Sequence, residues 1–447
     1  MKKNIFGVRK YLRPLQLTAV VFFAVSGGPY GLEPILNYTG SSIALLLVII
    51  TPLVWCIPTI LMVLELNGMM PKNGGYYQWV KNALGIRWGF IEGWWSWLYA
   101  FVDSAIYPVL FVEYLSFLFP AITPVKYAIC LVFIWTGAML NVLGIVPVGR
   151  SSVVLGIVVL TPFLILFWFA FFPAHPVAVS AVHLSSHPME ISALGMGVFT
   201  IMWNFLGWDN VTPFVEEVET PARSYLIAIV GALLIIVAVY VLAVLAASRS
   251  GVDFEVLQSE GFPSLGVLAG GWWLGAALSL GGMASAMGLF LSILLSISRV
   301  PKAMADDGIF PKMISIVNPR FNTPHISIIT CAVVVSGMVL WGFGDLLIID
   351  VTLYSFGLML EFVSLIVLRI HKPQAERPFK IGMGLKGIIV MTTLPLLCIL
   401  AAFVSLLITA NHHGHAAWFA FAAVVSGPIA WFVVDRWRTK SSIGSDS

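Results

Sequence analysis

Apolar residues fall in long runs along this chain, and polar residues collect in the gaps between them. A bilayer-crossing helix needs about 20 apolar residues in a row. The runs predict twelve such spans: 14–39, 43–66, 88–119, 124–143, 152–172, 192–219, 225–247, 271–299, 325–342, 347–370, 387–409 and 415–435. Loops 67–87 and 300–324 read as short interfacial segments, and 248–270 as a loop with a short helix. The expected class is an all-α integral membrane protein.

The basic residues orient these spans. With the N-terminus inside, only Lys126 and Arg249 of the 24 Lys and Arg residues fall outside. That agrees with the rule that cytoplasmic loops are positive, and it puts both termini in the cytoplasm. The start, MKKNIFGVRKYLRP, reads as a cytoplasmic tail and not a removable signal peptide.

Two spans are interrupted. The first holds SGGPYGLEP, Ser26 to Pro34, and the sixth holds FLGWDNVTP, Phe205 to Pro213. Irregular backbone at membrane depth is tolerated where it lines a cavity or is buried in protein. The breaks sit at matching positions in two sets of five spans. Five is odd, so the sets enter the membrane from opposite sides. This predicts a 5+5 inverted repeat, with broken helices opening each half and a binding site at the midplane. The expected parts are an N-terminal tail 1–13, a first repeat 14–172, a second repeat 192–370, two further helices 387–435 and a C-terminal tail 436–447.

Composition narrows the class. The chain is 59% hydrophobic and 10% charged, with mean hydropathy +0.96, whereas a soluble domain carries about 25% charged residues. Its 4 cysteines show no metal or redox spacing. HExxH, GxSxG and CxxC are absent, and all 8 histidines lie at span ends or in loops. The expectation is therefore not an enzyme, with no cofactor, no metal and no nucleic-acid partner. NHHGH, Asn411 to His415, reads as a solvated external turn. A passive channel would need no paired breaks.

Three carboxylates lie at membrane depth with no Lys or Arg beside them: Glu33, Asp103 and Asp209. An Asp at a helix centre costs about 2.5–3.5 kcal/mol on insertion scales. A ligand cation, a proton or water must compensate them. Tyr99, Asp103 and Tyr107 recur every four residues and share one helical face, which makes a cradle for an ammonium group. Gly27, Gly28, Tyr30, Gly31 and Asn204 offer break-region backbone and amide groups, while Trp203 and Trp208 flank the second break, with Trp208 expected to gate. Glu33, Asp103, Asp209 and Glu361 are the candidate proton carriers. Glu65, Glu216, Glu217 and Glu219 read as salt-linked residues at inner span ends, and Asp350 as an outer-end residue of the tenth span.

Several stretches carry a family resemblance: SGGPYGLE, ELNGMMPKNGGYYQWV, GWWSWLYAFVDSAIYPVLFVEYL, WNFLGWDNVTPFVEEVETP and LYSFGLMLEFVSLIVLR followed by RPFKI. The chain resembles the amino acid–polyamine–organocation permeases, which have the LeuT-like fold, and most closely the branch of the plant polyamine uptake transporters. The resemblance implies alternating-access, proton-coupled import of polyamines or related organic cations, with Glu33, Asp103 and Asp209 at acidic positions of the branch pattern. It also implies a carboxylate in the eighth span where this chain has Ile293, and other permeases carry a lysine in the fifth span, where 152–172 has none. Cationic or neutral amino acid transport or exchange therefore stays open. Sodium coupling through Ser285, Ser292 and Ser296 is the alternative to protons. The expected location is the cell membrane, with a bacterial inner membrane indicated by the lysine-rich start.

Overall fold

The computed structural model describes residues 11–172, 191–340 and 343–443. Most of the expected N-terminal tail and the last residues of the C-terminal tail lie outside the described residues. The first half holds α1 (Pro14–Val25), α2 (Glu33–Thr51), α3 (Ile57–Met69), α4 (Tyr76–Leu84), α5 (Ile86–Leu118), α6 (Lys126–Val142) and α7 (Ile145–Phe171). The second half holds α8 (Ile191–Trp203), α9 (Pro221–Ser250), α10 (Phe254–Glu260), α11 (Phe262–Gly270), α12 (Trp272–Ile297), α13 (Arg299–Asp306), α14 (His325–Met338) and α15 (Phe343–His371). A last helix, α16 (Leu385–Ile443), closes the chain. Proline sits in the first turn of α1, α2, α3, α9 and α11. There its missing N–H is no loss, because the first turn has no acceptor for it.

Eight helical stretches among the described residues are long and apolar enough to cross a membrane, and four shorter apolar helices accompany them. Large apolar side chains such as Val132, Leu164, Trp168 and Val433 are exposed on the outside, as a lipid-facing surface requires. The chain is a multi-pass membrane protein.

The predicted spans map onto these helices in order. The first span is α1, a non-helical stretch and the first turns of α2. Gly40, with φ 70° and ψ 165°, breaks α2 where the sequence separates the first two spans; such a φ suits glycine. A π-helical turn, Pro52–Cys56, then leads into α3. The loop 67–87 contains α4 and 300–324 contains α13. The outer loop 248–270 contains α10 and α11, two short helices where one is expected.

The last two spans, 387–409 and 415–435, lie in one helical stretch, Leu385–Ile443, yet the chain turns back within it. Phe403 packs on Phe356, Phe356 packs on Trp95, and Trp95 Nε1 donates to Val424 O. A straight helix would set residues 403 and 424 about 30 Å apart, so the two spans fold back on each other, as the sequence expects. The side chains of Asn411 to Gly414 lie outside the described ones.

Packing places the breaks side by side. The helix α1 lies on α7 and α9, α2 lies on α8, and α5 runs between α12 and α15. The most apolar window of the stretch containing α12 is 83% buried, against 17% for Trp418–Arg436. So α12 is interior and the end of the chain is peripheral.

Ion pairs close the end expected to face the cytoplasm. Glu65 on α3 accepts from Arg369 on α15 and from Arg377 at 3.0 Å. Arg299 pairs with Glu217 at 3.1 Å, Lys81 pairs with Asp307 at 2.6 Å, and Asn73 Nδ2 donates to Glu216 at 3.1 Å. Backbone bonds of Leu12 to Glu217 and Glu219 tie the start of the chain to the second break.

Candidate functional site

The two breaks are joined directly. Asn204 Nδ2 donates to Gly31 O at 3.1 Å and to Thr200 O at 2.8 Å, and Tyr240 O–H donates to Asn204 O at 3.0 Å. Gly207 makes the closest approach. It has φ +90°, and a Cβ built on it would lie 2.3 Å from Ala24 O. Only glycine fits there. Gly27 packs on Ser285 and Leu289, Gly28 on Val159, and Gly31 on the ring of Trp203.

Between the breaks lies a small cavity of about 20 Å³, room for one water-sized group. Asp103, Tyr99 and Tyr107 from α5 line it, with Trp203, Asn204, Gly207 and Asn210 from the second break region. The predicted α5 cradle therefore forms as one face of a cavity. Asp103 Oδ1 accepts from Tyr107 O–H at 2.5 Å and from Trp203 Nε1 at 3.4 Å. Tyr99 O–H donates to Asn210 Oδ1. Asp350 and Tyr354 from α15 complete the wall. Asp350 is 2% exposed, and its Oδ1 has no hydrogen-bond partner.

The three predicted carboxylates do not share this cavity. Glu33 lies toward the expected outer side, where it lines a second cavity of about 560 Å³ with Glu113, Glu260, Tyr114 and Gln258. Its carboxylate is held by Gly31 N at 2.6 Å, Tyr114 O–H at 3.1 Å and Phe262 N at 3.3 Å. Asp209 is turned the other way. Its Oδ1 accepts from Tyr354 O–H, whose oxygen accepts from Gly207 N at 3.1 Å. Asp209 also neighbours Glu361 of α15.

The tryptophans and Tyr30 also separate. Trp203 stands at the boundary of the two cavities: its own side chain lines the central one, while Thr200, one turn earlier, and Gly31, beneath its ring, line the outer one. Trp208 does not line the central cavity; it is fully buried beside Cys56. Tyr30 also faces elsewhere, donating to Leu278 O at 2.5 Å within a cluster of Tyr114, Phe163 and Phe262.

Three buried polar residues near the site were not among the sequence candidates: Asp350 and Tyr354, which line the cavity, and Glu92, whose Oε1 accepts from Ser96 at 2.9 Å. The signal was present. Asp350, Tyr354 and Glu361 are spaced by four and seven on α15, and Glu92, Ser96, Tyr99, Asp103 and Tyr107 by four, three, four and four on α5, so each set forms one helical stripe.

Comparison with known proteins gives the family. The chain is 33% identical over 405 residues to polyamine transporter RMV1 of Arabidopsis thaliana, covering 89% of this chain and 81% of that protein. It is 31% identical over 390 residues to polyamine transporter PUT1 of Oryza sativa subsp. japonica, covering 85% and 71%. The profile of the amino acid permease family matches residues 12–431. With the family profile matched over nearly the whole chain and relatives above 30% identity, this chain belongs to the amino acid permease family.

Proposed function

We propose that this permease is a secondary active transporter that takes up polyamines or related organic cations by alternating access, driven by protons. One observation carries the reading. The central cavity between the breaks is walled by two carboxylates, Asp103 and Asp350, and three phenols, Tyr99, Tyr107 and Tyr354. Among the described residues, no Lys, Arg or His pairs with either acid. A cavity of about 20 Å³ matches one ammonium head and not a whole polyamine, so the rest of the substrate enters as the walls part. Trp203, at the mouth and hydrogen-bonded to Asp103, is the gate in this reading.

A second feature weighs cations against amino acids. The freed amide at the start of α2 is what a substrate α-carboxylate would use. Here Gly31 N already donates to Glu33, so the chain fills that position with its own carboxylate. A ligand with amines and no carboxylate is better matched. Membership of the amino acid permease family keeps amino acid transport as the alternative, and Ile293, fully enclosed on α12, removes one possible anchor for a second amine. Buried, unpartnered hydroxyls of Ser285 and Ser292 favour sodium as the second coupling reading.

Twelve crossings with both termini cytoplasmic complete the proposal. We place the protein in the cell membrane; the relatives compared come from plants and lend the expected bacterial inner membrane no support. The test is uptake of labelled spermidine into proteoliposomes, competed by putrescine, arginine and leucine. Accumulation blocked by putrescine and indifferent to leucine supports the reading. Vesicles that take up leucine or arginine but no spermidine refute it in favour of the amino acid alternative.

A further inference from the structure

Below the central cavity, toward the ion-paired end, three carboxyl groups meet in the protein interior. Glu92 comes from α5, Asp209 from the second break and Glu361 from α15, and each is at most 2% exposed. Asp209, bonded to Tyr354, neighbours Glu361 on the same face of α15. Two buried carboxyl groups side by side disfavour both being ionised, so a proton shared between them relieves the pair. Glu92 packs against the same face of α15. A Cβ on Gly357, one turn before Glu361, would lie 2.9 Å from Glu92 Oε1. That oxygen accepts from Ser96 at 2.9 Å, while Oε2 of Glu92 and Oε2 of Glu361 meet no donor.

Among the described residues, no basic side chain pairs with this cluster. The other titratable groups facing it are phenols: Tyr76 from α4, Tyr99 from α5 and Tyr354 from α15. The nearby cations are committed elsewhere, Lys81 to Asp307, Arg299 to Glu217, and Arg369 and Arg377 to Glu65. Among the described residues, no acid, His or Cys cluster is arranged to hold a metal ion.

We propose that Glu92, Asp209 and Glu361 form the proton-carrying site of this transporter, distinct from the amine site at Asp103 and Asp350. The inference rests on the transport reading above and adds Glu92 to it. The shared proton holds Asp209 against α15. Its departure leaves two facing carboxylates, which repel and push the second break away from α15. Tyr354 relays that movement upward, since its hydroxyl donates to Asp209, accepts from Gly207 N and lines the amine cavity. Proton loss and opening of the amine site are thereby one event.

Two measurements test this. In proteoliposomes with an internal pH dye, wild type, Glu361→Gln and Glu92→Gln are compared for gradient-driven spermidine uptake, spermidine exchange and substrate-induced proton entry. The expected result is that both variants lose proton entry and that their ratio of concentrative uptake to exchange falls at least tenfold. Wild-type proton entry and accumulation in both variants overturn the proposal. The second measurement is infrared difference spectroscopy of the purified protein across a pH jump, which needs no substrate. A protonated-carboxyl band in wild type that is lost in Glu361→Gln supports the site; an unchanged band overturns it. If wild type moves no polyamine but the band behaves as expected, the substrate reading fails and the proton site stands.

Discussion

At the scale of single residues, the account rests on side chains that the lipid forbids unless something compensates them. Asp103 and Asp350 face one small space without a cation. Trp203 lines that space beside Asp103, where a cation–π contact with a bound ammonium would be worth about 0.5–2 kcal/mol. Trp203→Ala should therefore speed dissociation of labelled spermidine about 2- to 30-fold, measured by filter binding; Trp208→Phe, beside Cys56 and away from the cavity, should leave that rate within about twofold. That Glu33, Asp103 and Asp209 were buried was legible in the sequence from depth; that Glu92 and Asp350 were buried too was not. Which of them met was not legible either. Glu33, Asp103 and Asp209 looked like one set, yet the structure spreads them over three levels, because residues in a break follow no helical periodicity. Glu33 points back at Gly31 N, a contact decided by loop geometry. On regular helices the pattern was readable, and the stripe from Glu92 to Tyr107 on α5 is the example that was cut short.

At the scale of elements, the breaks were legible because clustered glycine and proline are costly inside an apolar helix and stay only where the backbone must turn. Their contact was not, since Gly207 against Ala24 joins residues far apart in sequence. Gly207→Ala would set a Cβ 2.3 Å from Ala24 O at φ +90°. Overpacking of this kind costs about 1–3 kcal/mol, so the variant should melt at lower temperature in detergent and lose uptake. Gly156→Ala on α7 is the contrast: its Cβ meets only Phe23 at 3.9 Å. That variant should be neutral or gain about 0.5–1 kcal/mol from helix propensity, with uptake intact. The division of spans one and two at Gly40 followed from sequence. The fold-back between the last two spans followed as well, because Asn411–His415 is a polar gap between apolar runs and the contacts of Phe403 and Val424 bring those runs together.

At the scale of the whole molecule, the structure is closed at the end rich in basic residues and holds a cavity of about 560 Å³ toward the other. The Glu65 pairs with Arg369 and Arg377 tie the first half to the second and to the segment leading into α16. Glu65→Gln leaves two buried guanidinium groups short of a counter-charge. Breaking a buried pair costs about 3–5 kcal/mol, so thermal unfolding in detergent should drop sharply. Asp306→Asn, which removes the half-exposed partner of Lys302, should change stability by about 0–1 kcal/mol. The positive-inside pattern foretold which end would carry such pairs, though not which partners each cation would choose. The central claim is that the cavity between the breaks binds an amine through its two acids. Equilibrium binding of labelled spermidine to purified protein tests it most directly, with wild type, Asp103→Asn and Asp350→Asn compared. A hydrogen bond to a charged group contributes about 1.5–3 kcal/mol, so each variant should bind about 10- to 150-fold more weakly. Binding at wild-type affinity by both variants would contradict the account.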